Sequence, residues 1–269
     1  MRWNHLSMAM LTDIGNVREK NEDAGGFDAG AGFCAVADGV GGAAAGEFAS
    51  EAVVASLQAA LADLPGDATP EERVAAMTGA IAQASQTIAE HAETHLLNSC
   101  GTTVAVLLFN PWYPDEAVAL HVGDSRIYRL RDGALAPLTR DHTVAVEIGI
   151  HESELPRAYR DMLTQAVGMA SGCQIERTPV NVQANDLFLV CTDGLYKVLS
   201  PNFLKRFLLS RRELSAAAQA DELMREALSR RAPDNITFGI IKVGAPLPPM
   251  HQPSPEDFTR DRAIDRKHR

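Results

Sequence analysis

The 269-residue chain predicts an α+β sandwich, and two observations carry that expectation. Short apolar runs bounded by turn residues recur along the first 243 residues, which is the pattern of many short strands. The helical stretches are few and come as antiparallel neighbours, instead of alternating one by one with strands as in a βαβ repeat.

The expected strands are 6–12, 32–37, 102–109, 117–122, 125–131, 186–191 and 236–243. Val104-Ala105-Val106-Leu107-Leu108-Phe109 and Leu187-Phe188-Leu189-Val190 are apolar at every position, as in strands covered on both faces. Arg131-Asp132-Gly133 reads as a hairpin turn. The first expected helix, 48–64, carries apolar residues at 48, 53, 54, 57, 61 and 64 and stops at Pro65-Gly66-Asp67. The second starts at Thr69-Pro70-Glu71-Glu72, an N-cap followed by proline and acids, and runs to about 97. A third spans about 213–230. The polar stretch 139–168 reads as an inserted flap. Residues 1–243 show no linker-like stretch and form one expected folded unit. From 244 on, five of the fourteen prolines and then a mixed-charge run predict a disordered tail.

Twenty-five Lys+Arg against 35 Asp+Glu give a net charge of −10. That balance excludes a nucleic-acid binder and a surface that seeks anionic lipid. With 46% hydrophobic and 22% charged residues the composition is that of a globular protein, and no apolar run reaches the ~18 residues of a membrane span. The first fifteen residues lack the apolar core of a signal peptide. Cys34, Cys100, Cys173 and Cys191 are widely spaced and read as reduced thiols of a cytoplasmic protein.

Acids recur in one context, an apolar strand followed by Asp and then Gly or a turn. Ala35-Val36-Ala37-Asp38-Gly39, Leu120-His121-Val122-Gly123-Asp124 and Leu189-Val190-Cys191-Thr192-Asp193-Gly194 are examples; Asp234-Asn235 precedes the last strand and Glu22-Asp23 follows the first. Strand ends of a packed sandwich converge at an edge, so these acids can meet. Clustered carboxylates repel and raise one another's pKa, and divalent cations remove that cost. Oxygen-only donors point to Mg²⁺ or Mn²⁺ and away from Zn²⁺. The glycine after Asp38 and after Asp193 permits unusual backbone angles and close approach.

Seven ordered segments then make a family resemblance: Arg18-Glu19-Lys20-Asn21-Glu22-Asp23-Ala24, Val36-Ala37-Asp38-Gly39-Val40-Gly41-Gly42, Gly101-Thr102-Thr103, Val122-Gly123-Asp124-Ser125-Arg126, Leu138-Thr139-Arg140-Asp141-His142-Thr143, Cys191-Thr192-Asp193-Gly194-Leu195 and Asp234-Asn235-Ile236-Thr237. Over about residues 7–243 the chain resembles the metal-dependent protein phosphatases (PPM, type 2C), in their compact bacterial form. The resemblance implies a four-layer αββα sandwich, two antiparallel sheets flanked by antiparallel helix pairs, with a binuclear Mg²⁺ or Mn²⁺ site at one end. It implies that Asp38 bridges both ions, that Gly39 offers its carbonyl, and that Asp193 and Asp234 complete one ion. Glu22 and Asp23 match the family's acidic pair, Asp124 with Asp193 matches a third, weaker metal site, and Arg18 matches the arginine that holds the substrate phosphate. The implied reaction is direct attack of a metal-bridging hydroxide on phosphoserine or phosphothreonine, reversing a Ser/Thr kinase. The implied partners are phosphorylated proteins and that kinase pathway, and the chain is expected to act as a monomer. The alternatives are an inert phosphoprotein-binding module of the same fold and a small-molecule phosphomonoesterase.

The chain departs from the pattern at Val40, where many eukaryotic relatives carry histidine after Asp-Gly. Its flap is short, and Gln165 replaces a common arginine. His91 and His95 share a zinc-like i, i+4 spacing, but His-Ala-Glu-Thr-His is not H-E-x-x-H and reads as packing. His121 and His142 read as non-catalytic. The glycine-rich stretch 39–46 lacks the ending of a phosphate loop.

Overall fold

Eleven strands and six α-helices form in the computed structural model, which describes residues 6–97, 99–169 and 172–244. The strands are β1 (Leu6–Asp13), β2 (Asp23–Asp28), β3 (Phe33–Val40), β4 (Gly101–Thr102), β5 (Val104–Phe109), β6 (Glu116–Val122), β7 (Arg126–Arg131), β8 (Ala134–Pro137), β9 (Glu176–Asn181), β10 (Leu187–Cys191) and β11 (Ile236–Val243). The helices are α1 (Ala43–Ala62), α2 (Pro70–Thr94), α3 (Val144–Ile148), α4 (Asp193–Val198), α5 (Pro201–Ser210) and α6 (Ala216–Ser229). The Pro-rich tail lies outside the described residues from 245 on.

The strands make two sheets, paired antiparallel throughout. One runs β1-β11-β10-β7-β8; the other runs β2-β3-β5-β6-β9 with β4 added beside β3. The sheets pack face to face through Cys34, Val36, Leu107, Phe109, Ile127, Phe188, Val190 and Ile241. On its outer face the six-stranded sheet is covered by α1 and α2, through Val53, Leu57, Met77, Ile81 and Ile88. The outer face of the other sheet is covered by α5 and α6, through Leu204, Leu208, Leu223 and Ala227. Four layers result, with the central strands β5 and β10 buried on both sides, as their continuous apolar runs require.

Local chemistry explains several ends. Thr69 caps α2 by accepting from Glu72 N–H at 3.2 Å while the Glu72 carboxylate accepts from Thr69 N–H at 2.7 Å, a complete capping box. Asp132 and Gly133, both at positive φ, turn β7 into β8. Other boundaries move from the expected ones. The expected strand 102–109 is two strands, β4 and β5, because Thr102 pairs with Gly39 and also bridges to Val167. Its partner β3 reaches Val40, three residues past the expected end, because β4 extends its ladder. Helix α1 begins at Ala43, five residues early, so the glycine-rich stretch enters a helix. Strands β2 and β9 and helix α5 were not expected at all.

Phe109 and Phe188 meet edge to face between the sheets, ring centroids 5.6 Å apart, both with no exposed surface. Phe188→Ala removes the larger part of that contact and leaves a cavity in a core that cannot collapse across two sheets. The expected loss is about 3–5 kcal/mol, read as a lower urea midpoint with an unchanged m-value.

Candidate metal centre

Both sheets deliver acids to one edge of the sandwich. Asp23 opens β2 and lies opposite Asp38 of β3 in the ladder. Glu22 precedes β2, and its carbonyl accepts from Gly39 N–H at 3.0 Å. From the other sheet, Asp193 opens α4 directly after β10, and Asp234 precedes β11. Asp124 lies in the link by which β6 of one sheet hands the chain to β7 of the other. Asp38 and Gly39 thus lie within a strand, and Asp193 and Gly194 in the first turn of a helix, where surface turns were the bland reading of the sequence.

The glycines serve space here. A Cβ on Gly39 would run into the Gly46 carbonyl of α1, and one on Gly194 into the Asn235 carbonyl. Neither residue has positive φ, so close backbone approach, not unusual dihedral angles, fixes their identity.

Hydroxyls and one amide hold the acids. Asp38 N–H donates to Thr103 Oγ1 at 3.0 Å, and the Asp38 carbonyl accepts from Thr103 N–H and the Thr102 hydroxyl, both at 2.9 Å. Thr103 Oγ1 lies 2.7 Å from Ser125 Oγ, which ties the Asp38 strand to the Asp124 link. The Thr192 hydroxyl donates to Asp23 Oδ2 at 2.9 Å. Buried Asn235 accepts from Glu22 N–H at 2.8 Å and donates to the carbonyls of Ile14 and Lys20, both at 2.9 Å. It therefore pins the segment carrying Arg18 and Glu22 against Asp234. Sequence reasoning placed Asn235 inside a motif but assigned it no role; its signal was an asparagine between an acid and a largely apolar strand.

The electrostatics are those of crowded, desolvated carboxyls. Asp23 is pushed up to about 8, chiefly by burial, with Asp193 and Asp234 adding repulsion against the Thr192 hydrogen bond. Asp38 lies well above the ordinary carboxylate range, through burial and then the charges of Asp193, Asp23 and Asp124. Asp124 rises to about 7, through burial and Asp193. Glu22 is raised by burial. Asp193 Oδ1 is buried with no hydrogen-bond partner. Oxygen-only donors, mutual repulsion and an orphaned carboxylate oxygen fit a hard divalent cation.

Cations stand at the rim. Arg18 grips Asp234 with both arms of its fork, Nε to Oδ1 and Nη2 to Oδ2, each 2.9 Å. That hydrogen bond raises the Arg18 pKa. Arg126 pairs with Asp141 and stacks on Tyr196, whose hydroxyl donates to the Asp124 carbonyl at 2.9 Å. The flap leaves and returns beside the acids, through the bridges Thr143 to Leu163 and Thr102 to Val167.

Among the described residues, one set of three His, Cys, Asp or Glu ligand atoms lies mutually within 4.8 Å, and it is His121, His142 and Glu176. Its hydrogen bonds argue for a clamp. His121 Nε2 donates to the Gly123 carbonyl at 2.7 Å, and Gly123 N–H donates to His142 Nδ1 at 3.2 Å. His142 Nε2 must then carry the proton it points at Glu176, 3.2 Å away, and cannot offer a lone pair to a metal. Burial takes His121 down to about 4, so it stays neutral. Both rings grip the peptide that precedes Asp124. His91 and His95 stack on each other, and His91 on Phe48, at centroid distances of 4.0 and 3.7 Å.

The sequence profile described as Protein phosphatase 2C matches residues 17–230. The serine/threonine phosphatase stp of Listeria monocytogenes is 31% identical over 240 residues, covering 86% of this chain and 93% of that protein. The serine/threonine protein phosphatase PstP of Mycobacterium tuberculosis is 34% identical over 246 residues, 88% of this chain and 45% of that protein. Among solved structures, PppA of Pseudomonas aeruginosa superposes with a TM-score of 0.79 at 30% identity, covering 90% of this chain and all of that one. The PstP catalytic domain in complex with two manganese ions superposes with a TM-score of 0.74 at 31% identity, covering 89% and 98%. By profile, by sequence and by fold, the chain belongs to the protein phosphatase 2C family.

Proposed function

We propose that this chain is a serine/threonine phosphoprotein phosphatase that works with two Mn²⁺ or Mg²⁺ ions at the acid edge. The observation that carries this reading is the buried Asp38 carboxyl, raised far from its ordinary range among Asp23, Asp124 and Asp193, with none of the chain's described ion pairs reaching it. In this reading Asp38, the Gly39 carbonyl, Asp193, Asp234, Glu22 and Asp23 would hold the two ions, and Asp124 with Asp193 would hold a third more weakly. When bound, the ions supply Lewis acidity, lowering the pKa of water and offsetting phosphate charge.

The chain's own residues do the rest. Thr102, Thr103, Thr192 and Asn235 fix the carboxylates on strand ends, so the donor set is organised before any ion arrives. Arg18 presents a planar fork that already holds one bidentate anion, Asp234; a phosphate can accept the same two hydrogen bonds. With about half of its side chain exposed, Arg18 can swing between the two. Val40 carries no proton to give, so the leaving serine or threonine oxygen is not protonated from that position. Phosphorylated proteins are the substrates, and the chain acts as a monomer in the cytoplasm, opposing a Ser/Thr kinase. No helix among the described residues is long and apolar enough to cross a membrane.

Hydrolysis of p-nitrophenyl phosphate and of phosphoserine and phosphothreonine peptides is expected to need Mn²⁺ and to stop in EDTA. Asp38→Ala is expected to lower turnover about a thousandfold, the equivalent of several kcal/mol of lost charge stabilisation. Metal-independent turnover, or full activity in that variant, refutes the reading. Arg18→Ala is expected to lower kcat/KM for phosphopeptides about tenfold, the low end for a charge-assisted hydrogen bond at an exposed site, and steady-state kinetics test it.

The raised carboxyls set a pH dependence. A carboxyl whose folded pKa exceeds its unfolded value keeps protons in the folded state, so folding is favoured at low pH and that advantage is lost as pH rises. For Asp23 and Asp124 the window runs from 3.8 to about 8 and about 7. The melting temperature in EDTA is expected to fall as pH climbs through that window. Asp124→Asn should flatten part of the slope, and saturating Mn²⁺ should reduce it. A slope unchanged in Asp124→Asn rejects the assignment.

A further inference from the structure

Lys197 lies one turn after Asp193 in α4, the spacing that stacks side chains on one helical face. Its Nζ is 2.6 Å from Asp193 Oδ2 and 2.7 Å from Asp161 Oδ1, a flap residue 36 positions away. Its charge also draws Asp124 downward against burial and Asp193. Carboxylates from three separate segments, the β6–β7 link, the flap and α4, therefore gather about one ammonium. Burial alone would lower the Lys197 pKa, but Asp193 and Asp161 raise it overall, so the ammonium stays charged. Asp193 is nine-tenths buried, and its Oδ1 is unpartnered beside the oxygen that Lys197 holds.

We propose that Lys197 is a tethered cation on the outer side of the acid edge, competing there with a divalent ion and latching the flap through Asp161. The inference rests on the acid edge binding divalent ions. Asp193 Oδ2 cannot serve the ammonium at 2.6 Å and a divalent ion at the ~2.1 Å of a metal–oxygen bond without bringing two positive charges into contact. One of them must leave. Lys197 can do so, because its stem is flexible and 37% of its side chain is exposed. The Asp161 end of the latch is 70% exposed and screened by solvent, so it holds the flap only while the ammonium stays on Asp193. An ion in the outer position and a latched flap are therefore alternative states. Lys197 acts through Asp193 and Asp161 and is a positioning residue.

The test counts Mn²⁺ bound to the full chain, by titration calorimetry and by electron paramagnetic resonance of free Mn²⁺, in the wild type, Lys197→Met and Lys197→Arg. Limited proteolysis of the flap is followed in parallel. The wild type should bind two ions tightly and a further ion weakly. Lys197→Met should bind that further ion at least tenfold more tightly and, in EDTA, lose flap protection. Lys197→Arg, which keeps the cation, should behave as the wild type in both assays. Asp161→Asn should expose the flap to protease while the two tight ions still bind. Unchanged outer-ion affinity in Lys197→Met, or an arginine variant that behaves like it, overturns the Lys197 inference alone. If no form binds Mn²⁺, the metal centre itself is refuted and the inference falls with it.

Discussion

The constraint on which this structure turns is repulsion among carboxylates that the fold forces together. Asp23 and Asp38 are direct partners in one ladder, and Asp193 and Asp234 come to the same edge from the other sheet. A chain free to avoid this would place such residues apart or in water. Here the opposite occurs: Asp23 is buried, and Asp38 is crowded by three other acids. Burial, and then the charges of the neighbouring acids, hold the Asp23 and Asp38 carboxyls above their ordinary range. Much of the local architecture exists to resist that repulsion.

The resistance is structural at two levels. The four layers lock both sheets through cores on either side and between them, so the strand ends cannot drift apart to relieve the charge. A finer layer of neutral hydrogen bonds then aims each acid. Thr103, Thr192 and Ser125 have no exposed surface to speak of; Thr103 and Ser125 tie the Asp38 strand to the Asp124 link, and Thr192 ties the β10–α4 turn to Asp23 and Thr237. Neutral groups suit this work, because they orient a carboxylate without consuming its charge. The two histidines on Gly123 are of the same kind: His121 stays neutral and fixes the backbone that presents Asp124.

How much of this was legible in the sequence depended on whether a signal was local. Strands β5 and β10 were readable because burial on both faces writes itself as an unbroken apolar run, and β11 because its run is apolar apart from Thr237, Gly239 and Lys242. Strand β2 was not: Asp-Ala-Gly-Gly-Phe-Asp carries acids and glycines that weigh against a strand, and only pairing with β3 makes it one. Strand β9 contains Pro179 and alternates exposed residues at the sheet edge, for the same reason. Helix α5 did carry its cap and proline, Ser200-Pro201, a cue that went unread. The acids were found through their ordered motifs, and the structure gathers them at one edge. Asn235 and Thr192 were missed in their roles because each acts across a long sequence separation; Lys197 had a local cue in Asp193 four residues before it, but its tie to Asp161 in the flap had none. Asn235 reaches Glu22 213 residues away, and nothing near either residue announces the contact.

The distribution of cations separates the centre from the rim. Asp234 has Arg18 and Asp193 has Lys197, whereas no ion pair among the described residues reaches Asp23 or Asp38. On the proposed reading, an ion held by Asp23 and Asp38 competes there with protons, so its binding strengthens as pH rises past the raised carboxyl values, while at Asp234 and Asp193 it must also displace Arg18 and Lys197. An ion entering at the rim competes with an ammonium or a guanidinium. Both stay charged at neutral pH, so that part of the competition yields to ion concentration, while the raised Asp124 carboxyl adds a pH dependence of its own. The same edge therefore combines two controls on cation entry: protonation of Asp23, Asp38 and Asp124, and displacement of a side-chain cation that, at Lys197, also holds the flap.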